Sequence, residues 1–111
     1  MKIFTKNEEQ ILLAICHLGD DAYLISIRKE IKKYTGKSYS VGTIYAPLNR
    51  LHVYGYLEVI EKKPDSPASG KPIKYYRLTK QGFKALTQIK CQNEMMWKGI
   101  ELNGLAEETE A

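Results

Sequence analysis

The chain has 111 residues, 43% of them hydrophobic and 27% charged, with a formal net charge of +4 at neutral pH. This is the composition of one globular domain with a modest core. It excludes a helical membrane protein, since no apolar run approaches the roughly 18 residues that a spanning helix needs.

No secretory leader pattern opens the sequence. The two cysteines, Cys16 and Cys91, belong to no metal-ligand spacing and are expected as free thiols of a reducing compartment, hence a cytoplasmic protein. Charge is unevenly placed. Residues 28–80 carry twelve basic and four acidic side chains, net +8, and the remainder five basic and nine acidic, net −4. A basic middle suits a polyanion, although charge alone does not separate nucleic acid from a membrane surface.

Thr5 and Glu8 form a T-x-x-E capping box ahead of the apolar run Ile11–Cys16 and Leu18. Apolar residues on most sides predict a first helix buried between other elements, ended by Gly19 and two aspartates. Ala22–Leu24 is too short for a strand of its own but could add an edge to a hairpin elsewhere.

Ser26 is expected to start a second helix that reaches about Tyr34 and stops at Gly36, with Ile27, Ile31 and Tyr34 inward. Arg28, Lys29, Lys32 and Lys33 then point elsewhere, as solubilising charges or as cations for a polyanion. After the short link Lys37–Tyr39, Ser40 can cap a third helix that ends near Gly55. Two short helices joined so tightly predict a helix-turn-helix. At 100° per residue Val41, Ile44, Leu48 and Leu51 share one side. Gly42, Thr43, Ala46, Asn49 and Arg50 share the other. That second side is either an ordinary solvated face or one slim enough to approach another polymer. Pro47 lies inside this helix and removes one backbone hydrogen bond, predicting an irregular first turn or a bend.

Beyond Gly55 the period changes. Tyr56–Lys63 and Pro72–Leu78 alternate apolar and polar residues around the loop PDSPASGKP, which predicts a β-hairpin with Lys71 at its tip and Lys62, Lys63 and Lys74 beside it. Thr79 can cap a last helix reaching about Leu102, on the order of 36 Å long. Phe83, Leu86, Ile89, Met96, Trp97 and Ile100 line one of its sides. Such a stripe exceeds what a small core needs: its N-terminal half is expected to pack back onto the first helix and its C-terminal half to meet a second copy, with Leu86, Ile89, Met96, Trp97 and Ile100 as the dimer residues. The predicted division is a DNA-binding unit over 1–78, a dimerisation helix over 79–103 and a disordered acidic tail over 104–111.

No residue pattern suggests catalysis, a metal or a cofactor. His17 and His52 lack partner spacing with Cys, Asp or Glu, and no phosphate loop, nucleophile elbow or paired-carboxylate motif occurs. The order of elements is that of an α+β, mostly helical, winged helix-turn-helix with a long C-terminal helix. In that arrangement the second helix of the pair enters the major groove. Thr43, Asn49 and Arg50 could reach base edges or phosphates, Gly42 and Ala46 permit close approach, and Tyr45 could donate to a phosphate. Arg50 could instead cap the helix C-terminus. Lys29, Ser40, Lys62, Lys71 and Lys74 would add contacts that do not depend on sequence.

The segments Ser40-Val41-Gly42-Thr43-Ile44-Tyr45, Leu48-Asn49-Arg50-Leu51 and Gly55-Tyr56-Leu57 resemble the recognition helix of PadR-like transcriptional regulators. Gly70-Lys71 and Lys74-Tyr75-Tyr76-Arg77-Leu78-Thr79 with Gly82 resemble that family's wing and the start of its last helix. The resemblance spans about Glu9 to Leu102, with the short C-terminal part of the compact branch. It implies a regulator that dimerises through its last helix, usually as a repressor on a pseudo-palindromic operator, with an effector releasing the DNA in some members. Ala22-Tyr23-Leu24 and His52-Val53-Tyr54 depart from the family pattern, which often has Gly-Tyr at the first site and charged residues at the second. Trp97 either packs in the dimer core or lines a slot for a planar aromatic ligand, as dimer interfaces do in compact relatives. The rival reading is a winged-helix module that docks on protein through the Ser40 helix; the basic hairpin argues for DNA, and Val53 and Tyr54, if exposed, for protein. A further rival is an enzyme subunit or small-molecule carrier that uses only the apolar dimer groove.

Overall fold

A computed structural model describes residues 3–63 and 71–102. Its elements follow in the order α1 (Lys6–Leu18), α2 (Leu24–Thr35), α3 (Val41–Val53), β1 (Leu57–Lys62), β2 (Ile73–Leu78) and α4 (Lys80–Trp97). The hairpin tip 64–70 and the acidic tail 104–111 predicted from the sequence lie outside the described residues.

Three helix starts rest on hydroxyl caps. Thr5 accepts from the Glu8 amide while the Glu8 carboxylate accepts from the Thr5 amide, completing the capping box. Ser40 accepts from the Thr43 amide and Thr79 from the Gly82 amide. The second helix corrects its sequence reading: it begins at Leu24, not Ser26. Ser26 sits one turn inside, where its hydroxyl accepts from the Tyr23 amide and donates to the Asp21 carbonyl. Gly36, in the left-handed region at φ 77°, ends α2 as expected.

The core joins Ile11, Leu12 and Ile15 of α1, Ile27 and Ile31 of α2, and Ile44, Leu48 and Leu51 of α3, closed by Leu57, Tyr76 and Leu78 of the hairpin. Burying each such aliphatic side chain stabilises by about 1.5–3 kcal/mol, against about 0.5–1.5 for a typical hydrogen bond. The apolar side of α3 therefore fixes how that helix is rotated. Val41 and Tyr34 are not part of that core as expected. Val41, at the first position of α3, is 46% exposed, and Tyr34 stands exposed and stacks on His17 with ring centroids 4.7 Å apart. The first helix is also less enclosed than its composition suggests, since Leu13 and Cys16 face outward.

The two strands pair antiparallel, Leu57 opposite Leu78 and Glu61 opposite Lys74. The expected edge is present: Tyr23 bridges Tyr75, and the Tyr76 amide donates to the Ala22 carbonyl at 2.8 Å. The hairpin is thus stapled to the entrance of α2. At its root Thr79 donates from its hydroxyl to the Gly55 carbonyl and from its amide to the Tyr56 carbonyl. Gly82 fits closely here, since a Cβ at that position would stand 2.3 Å from the Tyr56 oxygen.

The last helix ends at Trp97, not Leu102, and Gly99 follows at φ 83°. Ile100 therefore lies past the helix and off its stripe. Only Gly82 and Ala85 of α4 are buried.

Candidate nucleic-acid interface

Pro47 does not break α3, which runs without interruption from Val41 to Val53. With Ile44, Leu48 and Leu51 held inward, Gly42, Ala46, Asn49 and Val53 form the outermost line of the helix, and all four are exposed. Nothing stands within 4 Å of where a Gly42 Cβ would be, so this end of the helix is open. Ser40 is engaged locally. Its hydroxyl accepts from the Thr43 amide and lies 2.6 Å from the Thr43 hydroxyl.

The predicted residues separate onto two flanks. Tyr45 and Asn49 face the hairpin and join His52, Val59, Glu61, Lys74 and Tyr76 around a groove of about 340 Å³. Thr43 and Arg50 face α1 instead. The Arg50 guanidinium stands 3.8 Å from the Glu8 carboxylate, a group only 1% exposed. Arg50 is therefore held on the α1 flank rather than at the helix C-terminus.

His52 passes its Nδ1 to the Leu57 carbonyl at 3.0 Å, tying the end of α3 to β1. Burial raises the Tyr76 phenol above its ordinary value of 10.0, with the nearby Tyr45 adding to the effect. The turn before α3 is braced as well, since the Arg28 Nε donates to the Tyr39 carbonyl and the Tyr39 hydroxyl to Gln10. Arg28 is thus a structural cation. Lys29, on the next position of α2, is exposed, as are Lys71 and Lys74. Lys62 is exposed too, but its ammonium lies 4.7 Å from the Tyr75 ring centre, a cation–π contact that holds it against the hairpin.

A second groove, between α1 and α4, is mostly apolar. Leu13 and Cys16 of α1 with Phe83, Leu86, Ile89 and Trp97 of α4 line an open groove of about 590 Å³. Met96 lies apart from it, with Cys91 and Met95 on another side of α4. Among the described residues no three His, Cys, Asp or Glu groups are placed to hold a metal, and no helix is long and apolar enough to cross a membrane.

Two residues beside this face escape the sequence reading: Glu8 is assigned there to no more than the start of α1, and Asn7 is not singled out. Glu8 carried a visible signal as the capping-box carboxylate. Its second contact, to Arg50, and the donation from Asn7 Nδ2 to the Thr43 carbonyl at 3.0 Å depend on tertiary placement.

The sequence pattern described as the Transcriptional regulator PadR-like family matches residues 12–88. Among solved structures, a PadR family transcription regulator from Clostridium difficile is 25% identical, covers 91% of this chain and 99% of its own, and superposes with a TM-score of 0.70. A transcriptional regulator from Clostridium thermocellum is 27% identical over 81% of this chain and 85% of its own, with a TM-score of 0.66. A PadR family regulator from Eggerthella lenta, 24% identical over 91% of this chain and 81% of its own, shares the fold with a TM-score of 0.64. No curated protein matches the chain.

Proposed function

The chain belongs to the PadR-like family of transcriptional regulators, and from that premise we propose that it acts as a homodimeric repressor that reads a pseudo-palindromic operator. Family members are transcriptional regulators, not enzymes. The observation that carries the proposal is the outward line Gly42, Ala46, Asn49 with the basic hairpin beside it. The line is narrow enough for a major groove, and Lys74 borders it beside Asn49, where a phosphate backbone would run.

Asn49 is the base reader in this arrangement. Its amide can pair in bidentate fashion with the N6 and N7 edge of adenine, and the Ala46 methyl suits contact with a thymine methyl. Thr43 adds a hydroxyl at the rim, and Tyr45 a phenol toward phosphate. Ser40, Lys29, Lys62, Lys71 and Lys74 supply contacts that fix position without reading sequence, and Arg50 reaches a phosphate from the α1 side. Val53 and Tyr54 at the far end of α3 are the residues a protein-docking module would use, but the family favours DNA.

Two copies meet across the α1–α4 groove. Leu86, Ile89 and Trp97 form its heart, with Met96 at the margin and Ile100 past the end of the helix. Trp97 from each copy would flank a flat aromatic effector whose binding releases the DNA.

Replacement of Asn49 by Ala tests the base-reading assignment. Losing a bidentate contact of about 1–3 kcal/mol should reduce the preference for operator over random duplex by about 5- to 150-fold, while binding to random duplex stays within twofold. Competition binding at fixed salt measures both. An unchanged preference would remove Asn49 from the reading surface.

A further inference from the structure

Proline in a helix interior costs twice: it has no N–H for the carbonyl four residues back, and its ring pushes that carbonyl aside. For Pro47 the carbonyl concerned is that of Thr43. The Thr43 carbonyl is therefore left without its backbone donor, and the side-chain Nδ2 of Asn7 lies 3.0 Å from its oxygen. The two residues are 36 positions apart in the chain, so the donor arrives only when α1 docks. The next residue of α1, Glu8, reaches Arg50 on the same flank, seven residues further along α3. Consecutive residues of one helical turn thus hold two points of α3 on the side away from the hairpin. The buried apolar side sets the rotation of α3, this pair of ties further restricts it, and rotation decides whether Ala46 and Asn49 point outward.

We propose that Asn7 is a positioning residue for the reading helix, its amide supplying the Thr43 carbonyl with the donor that Pro47 lacks. The assignment rests on the DNA-reading role of α3 proposed above. It separates Asn7 from an ordinary surface amide by one requirement: its importance depends on the proline. With alanine at position 47 the backbone supplies its own N–H to Thr43, and Asn7 becomes dispensable.

The test is a double-mutant cycle on the full chain, using as probe the tightest duplex that the wild-type protein selects from a random-sequence library. Asn7→Ala should weaken binding to that duplex by about three- to tenfold, the range of one ordinary hydrogen bond. The same change in a Pro47→Ala background should weaken it by less than about twofold. Asn7→Gln, which keeps an amide donor within reach of an exposed carbonyl, should recover most of the loss. Equal losses in both backgrounds, or no loss in the wild type, overturn the proposal. If Pro47→Ala does not fold, Asn7→Ala and Asn7→Gln decide between themselves, and equal losses then overturn it. A wild-type chain that selects no duplex at all would sink the DNA reading instead. The same cycle followed by melting temperature would then still decide the Asn7 assignment.

Discussion

The face of α3 and the groove between α1 and α4 are built by opposite uses of the same residue types. In α3 the aliphatic side chains Ile44, Leu48 and Leu51 are fully buried, and glycine, alanine and asparagine remain outside. In α4 only Gly82 and Ala85 are buried, while Phe83 and Trp97 are 54% and 56% exposed. A monomer core has therefore used the aliphatic residues in the middle of α3, leaving Val41, Tyr45 and Val53 outside, and very little of α4. The difference separates two physical requirements: the first surface offers a slim helix face beside basic side chains, and the second a mostly apolar groove with Glu9, Lys90 and Glu94 in its lining.

Salt should divide the two most sharply. A surface that works through phosphate contacts loses about 10³-fold or more in affinity between 50 and 200 mM salt, whereas an apolar contact does not weaken. DNA binding should follow the first course and self-association the second, as measured by fluorescence anisotropy and sedimentation over the same salt series. Lys71→Ala and Lys74→Ala together should lower the log–log salt slope by about two and weaken binding to all sequences alike. A slope that stays put would take both lysines off the interface.

The converse experiment attacks the apolar side. Phe83→Asp places a charge in the groove and should raise the dimer dissociation constant by about 100-fold or more, at a cost of several kcal/mol for an unpaired buried charge. Because Phe83 is already exposed in a single copy, the variant should stay folded. An unaltered sedimentation profile would show that the second copy sits elsewhere. The smallest effect expected concerns Trp97, the single tryptophan of the chain. Planar aromatic dyes should shift or quench its emission if the slot exists. Emission that stays constant at saturating dye would leave Trp97 as packing alone.

The sequence foretold whatever depends on neighbours a few positions away. Thr5, Ser40 and Thr79 are caps within one turn of the amides they hold, and the alternation of Leu57–Lys62 and Ile73–Leu78 writes the hairpin directly. Periodicity was less informative at helix ends, where it continues although the packing partner has stopped. Val41 and Tyr34 keep the spacing of inward residues but lie beyond the body of the core, and α4 stops at Trp97 although apolar residues continue. Ser26 misled for a different reason. A hydroxyl that accepts from an amide three residues upstream looks, in sequence, the same as one that accepts from an amide downstream. Asn7 had no signal at all, because an asparagine in a first turn is unremarkable until Thr43 is brought beside it by the fold.

The tight fit of Gly82 against the Tyr56 carbonyl has a mechanical corollary. An 18-residue helix is a rod of about 27 Å, and this one is wedged near its beginning at the root of the hairpin while its far half runs beside α1, where Asn93 Nδ2 donates to the Glu9 carboxylate. A methyl group at position 82 would have to push the Tyr56 carbonyl aside, so Gly82→Ala is expected to displace the helix start and the hairpin root together.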